Sequence, residues 1–355
     1  MMFRTKRQIN KYTKKTMLRF LSSLFTTPAE RSGGLDEALL EKATERAVDG
    51  TDRRLHALGD YRARLRGPVE LAVNHVISLV NALPPPIEIS PRAFGEDNGL
   101  RPFFVSTEHL REVLGKFSNV RDFLTDLASP PPEEIFGLLT MVREERNVFG
   151  MELDGDSLRR DVMQVAVNFS NHRYIGPTGN EVDTRRELMK RAFDFLIEKA
   201  LERITGERGK RRDLDRQRHL LRQKLDVMQT GQWGLGAMLN DSEGPGPNLA
   251  ALEAEIETIE VELGHGHADS LGLEESLALV ADTLSRPADW LAAHKISLRL
   301  DYRGIKLPDS SAMPEIGLAE LFSSTGERRT VVLGRIARTD IPEPPDFWKS
   351  AKRYL

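Results

Sequence analysis

The chain has 355 residues, of which 39% are hydrophobic, so it is long enough for two or three domains with a sizeable core. Charged residues make up 30% and aromatic residues only 6%, which favours long solvated helices over an aromatic-rich β-sandwich or a surface that stacks nucleobases. The absence of cysteine excludes disulfides, thiolate metal sites and cysteine nucleophiles, and it favours a cytoplasmic location.

The first 33 residues are predicted to form a basic, flexible tail. The formal net charge of the whole chain is −3, yet seven basic residues come before the first acidic one, Glu30. They are Arg4, Lys6, Arg7, Lys11, Lys14, Lys15 and Arg19. Residues 1–25 also contain a broken apolar stretch, so this tail suits contact with nucleic acid or with the surface of an anionic membrane. No stretch of the chain approaches the roughly eighteen apolar residues of a transmembrane helix.

Residues 34–132 are predicted to form a helical domain. Apolar residues at helical spacing indicate a first helix over residues 35–57. A second helix is predicted to begin around Gly67-Pro68, because proline suits the first helical turn, and to end at Pro84-Pro85-Pro86. Shorter helices are expected to begin at three polar capping residues, Ser90, Ser106 and Asn119.

The alternation of apolar and polar residues indicates β-strands in two regions. Between residues 149 and 169 it predicts a β-hairpin with its turn at Asp154-Gly155-Asp156. The second region has strand patterns at 296–302, 318–322 and 330–336. We therefore predict an α+β fold with one antiparallel sheet, whose first part lies in residues 133–182 and whose second part lies in residues 296–340.

A pair of oppositely charged heptad segments is the strongest pattern, and it predicts an antiparallel helical hairpin of coiled-coil type, inserted at residues 183–264 and projecting from the sheet. The acidic arm, 249–263, has one apolar seam formed by Leu249, Leu252, Ile256, Ile259 and Leu263. The basic arm, 208–228, carries Arg208, Lys210, Arg211, Arg212, Arg216, Arg218, Arg222 and Lys224. The helix that leads into the basic arm is predicted to start at Thr184, which has capping-box spacing with Glu187. Gly206 and Gly209 leave open whether that helix is continuous.

The segments that follow the hairpin are shorter. Residues 265–295 are predicted to form short helices, the last of which ends near His294. Residues 341–355 are predicted to form a C-terminal tail.

The hairpin supplies the candidate interaction residues. Its tip, 230–247, is rich in glycine and holds a tryptophan, a residue type that often dominates binding surfaces. Two arginines occupy seam positions that an isolated hairpin would fill with apolar residues. The candidates are Trp233, Leu235, Arg211, Arg218, Leu252 and Ile256.

Gly264-His265-Gly266-His267-Ala268-Asp269 resembles the first part of the His-x-His-x-Asp-His metal motif of metallo-β-lactamase-like hydrolases. The resemblance covers six residues and implies a metal-dependent hydrolase. Against it, Ser270 takes the place of the third histidine, and an acidic helix precedes the motif where the family has a strand. A helix end capped by Gly264 explains the segment better, so His265, His267 and Asp269 are only weak metal-ligand candidates.

No catalytic or cofactor-binding residue is predicted. The leading hypothesis is a non-enzymatic cytoplasmic interaction or scaffold protein that binds a protein partner, or another copy of itself, through the helical hairpin. The alternative is a binder of nucleic acid or of anionic membranes that uses the basic tail and the basic arm. A hydrolase with an unrecognised site is the weaker third hypothesis.

Overall fold

The computed structural model describes residues 37–96, 99–126, 130–154, 157–229, 249–263, 272–301, 303–308 and 313–342. Within these ranges the chain forms nine α-helices and a six-stranded sheet, which confirms the predicted α+β class. No helix in the described ranges has both the length and the apolar character needed to cross a bilayer.

The helices are α1 (Glu37–Thr51), α2 (Tyr61–Asn81), α3 (Pro91–Glu96), α4 (Thr107–Lys116), α5 (Ser118–Asp126), α6 (Glu181–Gln229), α7 (Leu249–Leu263), α8 (Leu273–Ser285) and α9 (Pro287–Trp290). Short 3₁₀ turns lie at Arg53–Ala57, Arg101–Phe103 and Arg338–Asp340. The strands are β1 (Ile87–Glu88), β2 (Glu134–Asp154), β3 (Ser157–Thr178), β4 (Leu291–Leu298), β5 (Ile316–Ser323) and β6 (Arg328–Ala337).

Several predicted helix boundaries were wrong. The first helix ends at Thr51 rather than at residue 57, and tertiary contacts explain the error at the start of α2. Helix α2 begins at Tyr61 rather than near Pro68, which lies inside it. The turn before the proline is stabilised by α1, because the Tyr61 hydroxyl donates to Glu45 at 2.7 Å and Arg62 donates to the same carboxylate at 2.8 Å. The last short helix ends at Trp290, and His294 belongs to strand β4.

Helix α6 begins one turn earlier than Thr184. The capping residue is Asn180, whose Oδ1 accepts a hydrogen bond from the Asp183 amide at 2.8 Å. Thr184 lies inside the helix and donates its hydroxyl to the Asn180 carbonyl at 3.0 Å. The helix then runs without a break through Gly206 and Gly209, although each glycine costs about 1 kcal/mol relative to alanine.

The sheet is assembled from two parts of the chain that the helices α6 to α9 separate in sequence. Its strand order is β3-β2-β6-β5-β4, with antiparallel pairing throughout this path. The predicted hairpin is confirmed, since β2 and β3 pair down to Asp154 opposite Ser157. Strand β1 was not predicted, and its two residues pair in parallel with Gly334 and Arg335 of β6.

The two ends of this strand path are also joined. The chain that follows β4 reverses at Gly304, and the returning segment forms two β-bridges, Ala166 with Ile305 and Leu300 with Lys306. Because β3 is thereby linked to the continuation of β4, hydrogen bonding runs round a closed ring of strands. Closure protects backbone groups that an open sheet would expose at its edges.

The reversal depends on Gly304, which has a φ of 78°. The Asp301 carboxylate accepts hydrogen bonds from the Arg303 and Ile305 amides, both at 2.8 Å, and holds the turn. A Cβ atom at position 304 would lie 2.8 Å from the Val167 carbonyl oxygen, so the close approach to β3 also requires glycine.

A hydrophobic core fills one face of the sheet. The strands contribute Ile135, Leu139, Met141, Val167, Phe169, Leu298, Leu318, Val332 and Ile336. The segment from β1 to α5 covers them with Ile89, Phe103, Phe104, Leu110, Leu114, Phe117 and Val120. The short helices therefore act as one lid over this core.

Tyr174 holds three strands of the sheet together. Its buried hydroxyl lies 3.0 Å from the Ile135 carbonyl oxygen and 2.8 Å from that of Gly334, and it donates to this pair. Burial raises the pKa of the hydroxyl, so it stays a hydrogen-bond donor. The ring fits because Gly137 has no side chain: a Cβ there would lie 2.4 Å from a ring carbon.

The described residues divide into two compact units. One contains residues 73–193 and those from 287 onward, and so includes the whole sheet. The other contains residues 37–72 and 194–286, with α1, α7, α8 and parts of α2 and α6. The N-terminal helices are thus shared between the units, and the predicted domain boundaries stay predictions.

We expect Gly137→Ala to lower the free energy of unfolding by about 2 kcal/mol, because the added methyl group overlaps the Tyr174 ring in a packed core. Chemical denaturation measures the change. Gly317→Ala is the matched control in strand β5, since no atom lies within 4 Å of the position its Cβ would take. Equal stability of the two variants would show that the Tyr174 contact is not tight.

Candidate interaction site

The acidic helix α7 buries one face and exposes the other. Its seam residues Leu252, Ile256, Ile259 and Leu263 are each less than a tenth exposed. Val261, on the opposite face of the same helix, is 77% exposed. Four of the five predicted seam residues are therefore buried, whereas Leu249 at the start of the helix is 40% exposed. Leu252 and Ile256 are packed inside the chain rather than presented at its surface.

The basic part of α6 contacts α7 along both flanks of that seam. On one flank, the Gln217 side chain donates to Glu255 at 3.2 Å. On the other, Arg222 forms an ion pair with Glu260. Contacts therefore join the two arms, and one of them is an ion pair of opposite charge, whereas a coiled coil stays a prediction. On α6 the apolar residues of the seam, Leu214, Leu221 and Leu225, are half-buried.

The two seam arginines have partners within the chain. Arg211 forms an ion pair at 2.8 Å with Glu275 of α8, and its side chain is 22% exposed. Arg218 pairs with Asp215 one turn earlier on α6. A third helix, α8, therefore explains why the seam of α6 is polar near its base, where a two-helix hairpin alone would need an apolar residue.

Helix α8 runs antiparallel to α6 beside this base. Arg211 contacts Glu275 near the start of α8, and Arg203 contacts Asp282 near its end at 2.7 Å. Arg203 also donates to the hydroxyl of Thr283 at 2.9 Å. These contacts on both sides of Gly206 and Gly209 stabilise the helical conformation there, so the glycine cost does not break α6.

A buried carboxylate, Asp52, anchors the start of the basic arm. It caps the 3₁₀ turn that follows α1 and pairs with Arg54 at 2.8 Å and with Arg208 of α6. Its side chain is only 7% exposed. Hydrogen bonds from Arg54, and a further one from Arg208, lower the pKa of Asp52 to about 2, against the opposing effect of burial. Sequence reasoning missed this residue, since a lone aspartate between two helices has many ordinary roles.

The remaining candidates lie outside the described residues. They are Trp233 and Leu235 of the tip, and His265, His267 and Asp269 of the metal-motif resemblance. Among the residues that are described, no cluster of three or more histidine, aspartate or glutamate side chains is placed to hold a metal ion.

Comparison with known proteins adds no relative to this picture. No protein-family model, no curated protein and no solved structure matches the chain.

We expect Asp52→Asn to lower the free energy of unfolding by about 2 kcal/mol at pH 7, as the depressed pKa implies. The folded-state pKa lies below the ordinary value of 3.8, so the contribution is present above pH 3.8 and is lost as the pH falls through about 2. Urea denaturation at pH 7 and at pH 3 checks both the size and the sign.

Asp49→Asn is the control, because Asp49 is half exposed and its two ion-pair contacts, with Arg53 at 3.7 Å and with His56 at 3.5 Å, are solvent-exposed. We expect little change for this variant at either pH. The free energies of unfolding of wild type and Asp52→Asn should differ less at pH 3 than at pH 7. A larger difference at pH 3 would contradict the role assigned to the Asp52 carboxylate.

Proposed function

We propose that this chain is a non-enzymatic interaction protein that binds a protein partner, or a second copy of itself, through a helical arm formed by α6 and α7. The observation that carries the proposal is that α6 and α7 use their contact residues within the chain. The seam residues of α7 are buried, and a side chain of α6 contacts α7 on each flank of the seam. A seam that is closed within the chain makes the arm stiff. A stiff arm can present its end to a partner. A cytoplasmic location belongs to the same proposal.

The flank contacts support an antiparallel coiled-coil register. If Arg218 and Leu225 take heptad position a in α6, and Leu249 and Ile256 take position a in α7, then Gln217 and Glu255 both fall at position g. Arg222 and Glu260 both fall at position e. Reversing one helix brings g beside g and e beside e, whereas parallel helices bring g beside e. The sides that the two contacts join, g with g for Gln217 and Glu255 and e with e for Arg222 and Glu260, fit the antiparallel case. In that register each contact spans about 7.5 Å along the helix axis, which the long side chains can bridge.

The surface left for a partner is then the end of the arm, residues 230–247. Along α7 the apolar seam is already buried, and Glu255 and Glu260 on its flanks already contact α6. Trp233 and Leu235 lie in the connecting segment and have the residue types that anchor protein interfaces. We therefore assign the partner contact to this end, rather than to Arg211, Arg218, Leu252 or Ile256.

The ion pairs of the basic arm argue against the alternative, a phosphate-binding role. Arg208, Arg211, Arg216, Arg218 and Arg222 all have carboxylate partners. A nucleic acid or an anionic membrane would have to displace those carboxylates before it gained the electrostatic attraction that drives such binding. The basic tail of residues 1–25 stays a separate candidate for that role.

We expect Trp233→Ser combined with Leu235→Ser to abolish the protein contact and to leave helicity and thermal stability unchanged. The reason is that these residues lie outside the paired part of the arm. Self-association of the purified protein is measured by analytical ultracentrifugation. Partner binding is measured by quantitative cross-linking in lysate of the native host.

Leu220→Ser combined with Val261→Ser is the matched control, because these apolar side chains are 59% and 77% exposed on the same two helices. We expect this variant to behave as wild type. The proposal fails if the control loses the contact while the tip variant keeps it. It also fails if the only binding found is salt-sensitive attachment to DNA, RNA or acidic vesicles that deletion of residues 1–19 removes, or if a stoichiometric metal is lost on His265→Ala.

A further inference from the structure

The β2–β3 hairpin continues well past the sheet as a two-stranded ribbon. Strand β2 pairs with β6 only as far as Met141, whereas its pairing with β3 continues to Asp154. On the β3 side, the outermost bond to the ring among the described residues is the hydrogen bond that the Lys306 amide donates to the Val165 carbonyl at 2.8 Å, next to the bridge between Ala166 and Ile305. The ribbon, defined here as residues 142–154 and 157–164, therefore has no third strand among the described residues.

One face of the ribbon, its apolar face, carries an uncovered patch of large apolar side chains at its outer end. Phe149 is 78% exposed, Met163 directly opposite it is 66% exposed, and Met151 is 60% exposed. On the other face the Gln164 side chain lies over Gly150 and donates to the Met151 carbonyl at 3.3 Å, and the two valines that share this face are half-buried. Three neighbouring apolar side chains that are this exposed indicate a surface that another segment covers.

The apolar face continues the buried face of the sheet. Because side chains alternate along a strand, the inward positions on β2 run from the buried Met141 through Arg143 and two exposed polar residues, Glu145 and Asn147, to Phe149. Arg143 marks the boundary, since it pairs with the buried Glu320 at 3.2 Å and with Glu145 at 3.6 Å. Inside this boundary the helices α3 to α5 cover the face, and outside it no described residue does so.

The size of the patch decides what kind of occupant can cover it. Three side chains that are about two-thirds exposed offer apolar burial equivalent to a dissociation constant on the order of 1 mM. A separate protein at cellular concentration would hardly bind through this patch alone. A segment of the same chain would bind, because its tether holds it near the patch at an effective concentration in the millimolar range.

We propose that residues 17–25 of this chain cover the apolar face of the ribbon. They read Met-Leu-Arg-Phe-Leu-Ser-Ser-Leu-Phe and hold six large apolar side chains. This assignment does not depend on the role proposed for the helical arm.

Charge supports the same occupant. Residues 144–161 of the hairpin contain six acidic and three basic residues. The first 25 residues contain seven basic residues and no acidic one. Attraction between the two segments adds to the apolar contact and weakens in high salt.

The test uses thiol labelling, which the cysteine-free chain makes site-specific. Met163→Cys is prepared in the full chain and in a chain without residues 1–33, and both are labelled with an uncharged maleimide. We expect removal of the segment to raise the labelling rate about twofold, because a dissociation constant and an effective concentration that are both about 1 mM leave roughly half of the ribbon uncovered. A synthetic peptide of residues 1–33, added at millimolar concentration, should restore slow labelling.

Leu220→Cys serves as the control, since Leu220 is 59% exposed on α6 and should label equally fast in both chains. If Met163→Cys fails to fold, Met151→Cys replaces it as the probe. Equal labelling of the ribbon cysteine with and without residues 1–33 overturns the proposal. Protection of the ribbon cysteine from labelling that grows with protein concentration also overturns the proposal, because the occupant is then a second copy of the chain. Protection that requires lysate or lipid vesicles overturns it as well.

Discussion

Pairing between β2 and β6 is the interaction on which the sheet depends, because it joins two parts of the chain that are far apart in sequence. Eight residues of β2, from Glu134 to Met141, pair with β6, and every helix from α6 to α9 lies between the two strands in the chain. Closing so long a connection costs conformational entropy, which the apolar residues on the sheet must offset. Tyr174 reinforces this pairing, since its hydroxyl reaches carbonyl groups of both β2 and β6.

The second unit depends on charge to a greater degree. Helix α6 carries many arginines, and the described ones at its middle find carboxylates on α8, on α7, on α6 itself and at Asp52. Exposed pairs of this kind contribute little singly. Asp52 differs because it is buried and accepts hydrogen bonds from two arginines, so its charge is coupled to folding. The apolar seam of α7 supplies the rest of the stability of the arm.

The sequence predicted features that arise from a regular local pattern. The alternation around Met163 to Phe169 predicted a strand, and the heptads predicted the buried face of α7, because both periods repeat often enough to be recognised. The start of α6 was misplaced because Asn180 and Thr184 lie one turn apart, and either can cap a helix. Strand β1 has two residues, which is too short for any period to be seen.

Long-range contacts were beyond the reach of sequence patterns. Ring closure depends on single bridges at Ile305 and Lys306, and nothing local marks the residues they meet. Asp52 and Arg208 are 156 positions apart, and their pairing follows from the packing of helices that the sequence does not orient. The sequence predicted the ribbon only as part of an ordinary β-hairpin. The exposure of Phe149 and Met151 follows from where the pairing with β6 ends, which no local pattern shows.

Disulfide trapping tests the antiparallel arm most directly, as the chain has no cysteine of its own. The antiparallel register places Leu225 opposite Leu252, whereas a parallel register with the same flank contacts would place it opposite Leu263. Under mild oxidation, Leu225→Cys with Leu252→Cys should form a disulfide within one chain, and Leu225→Cys with Leu263→Cys should not. The reverse pattern, or disulfides formed only between chains, would contradict an arm that is paired within the chain.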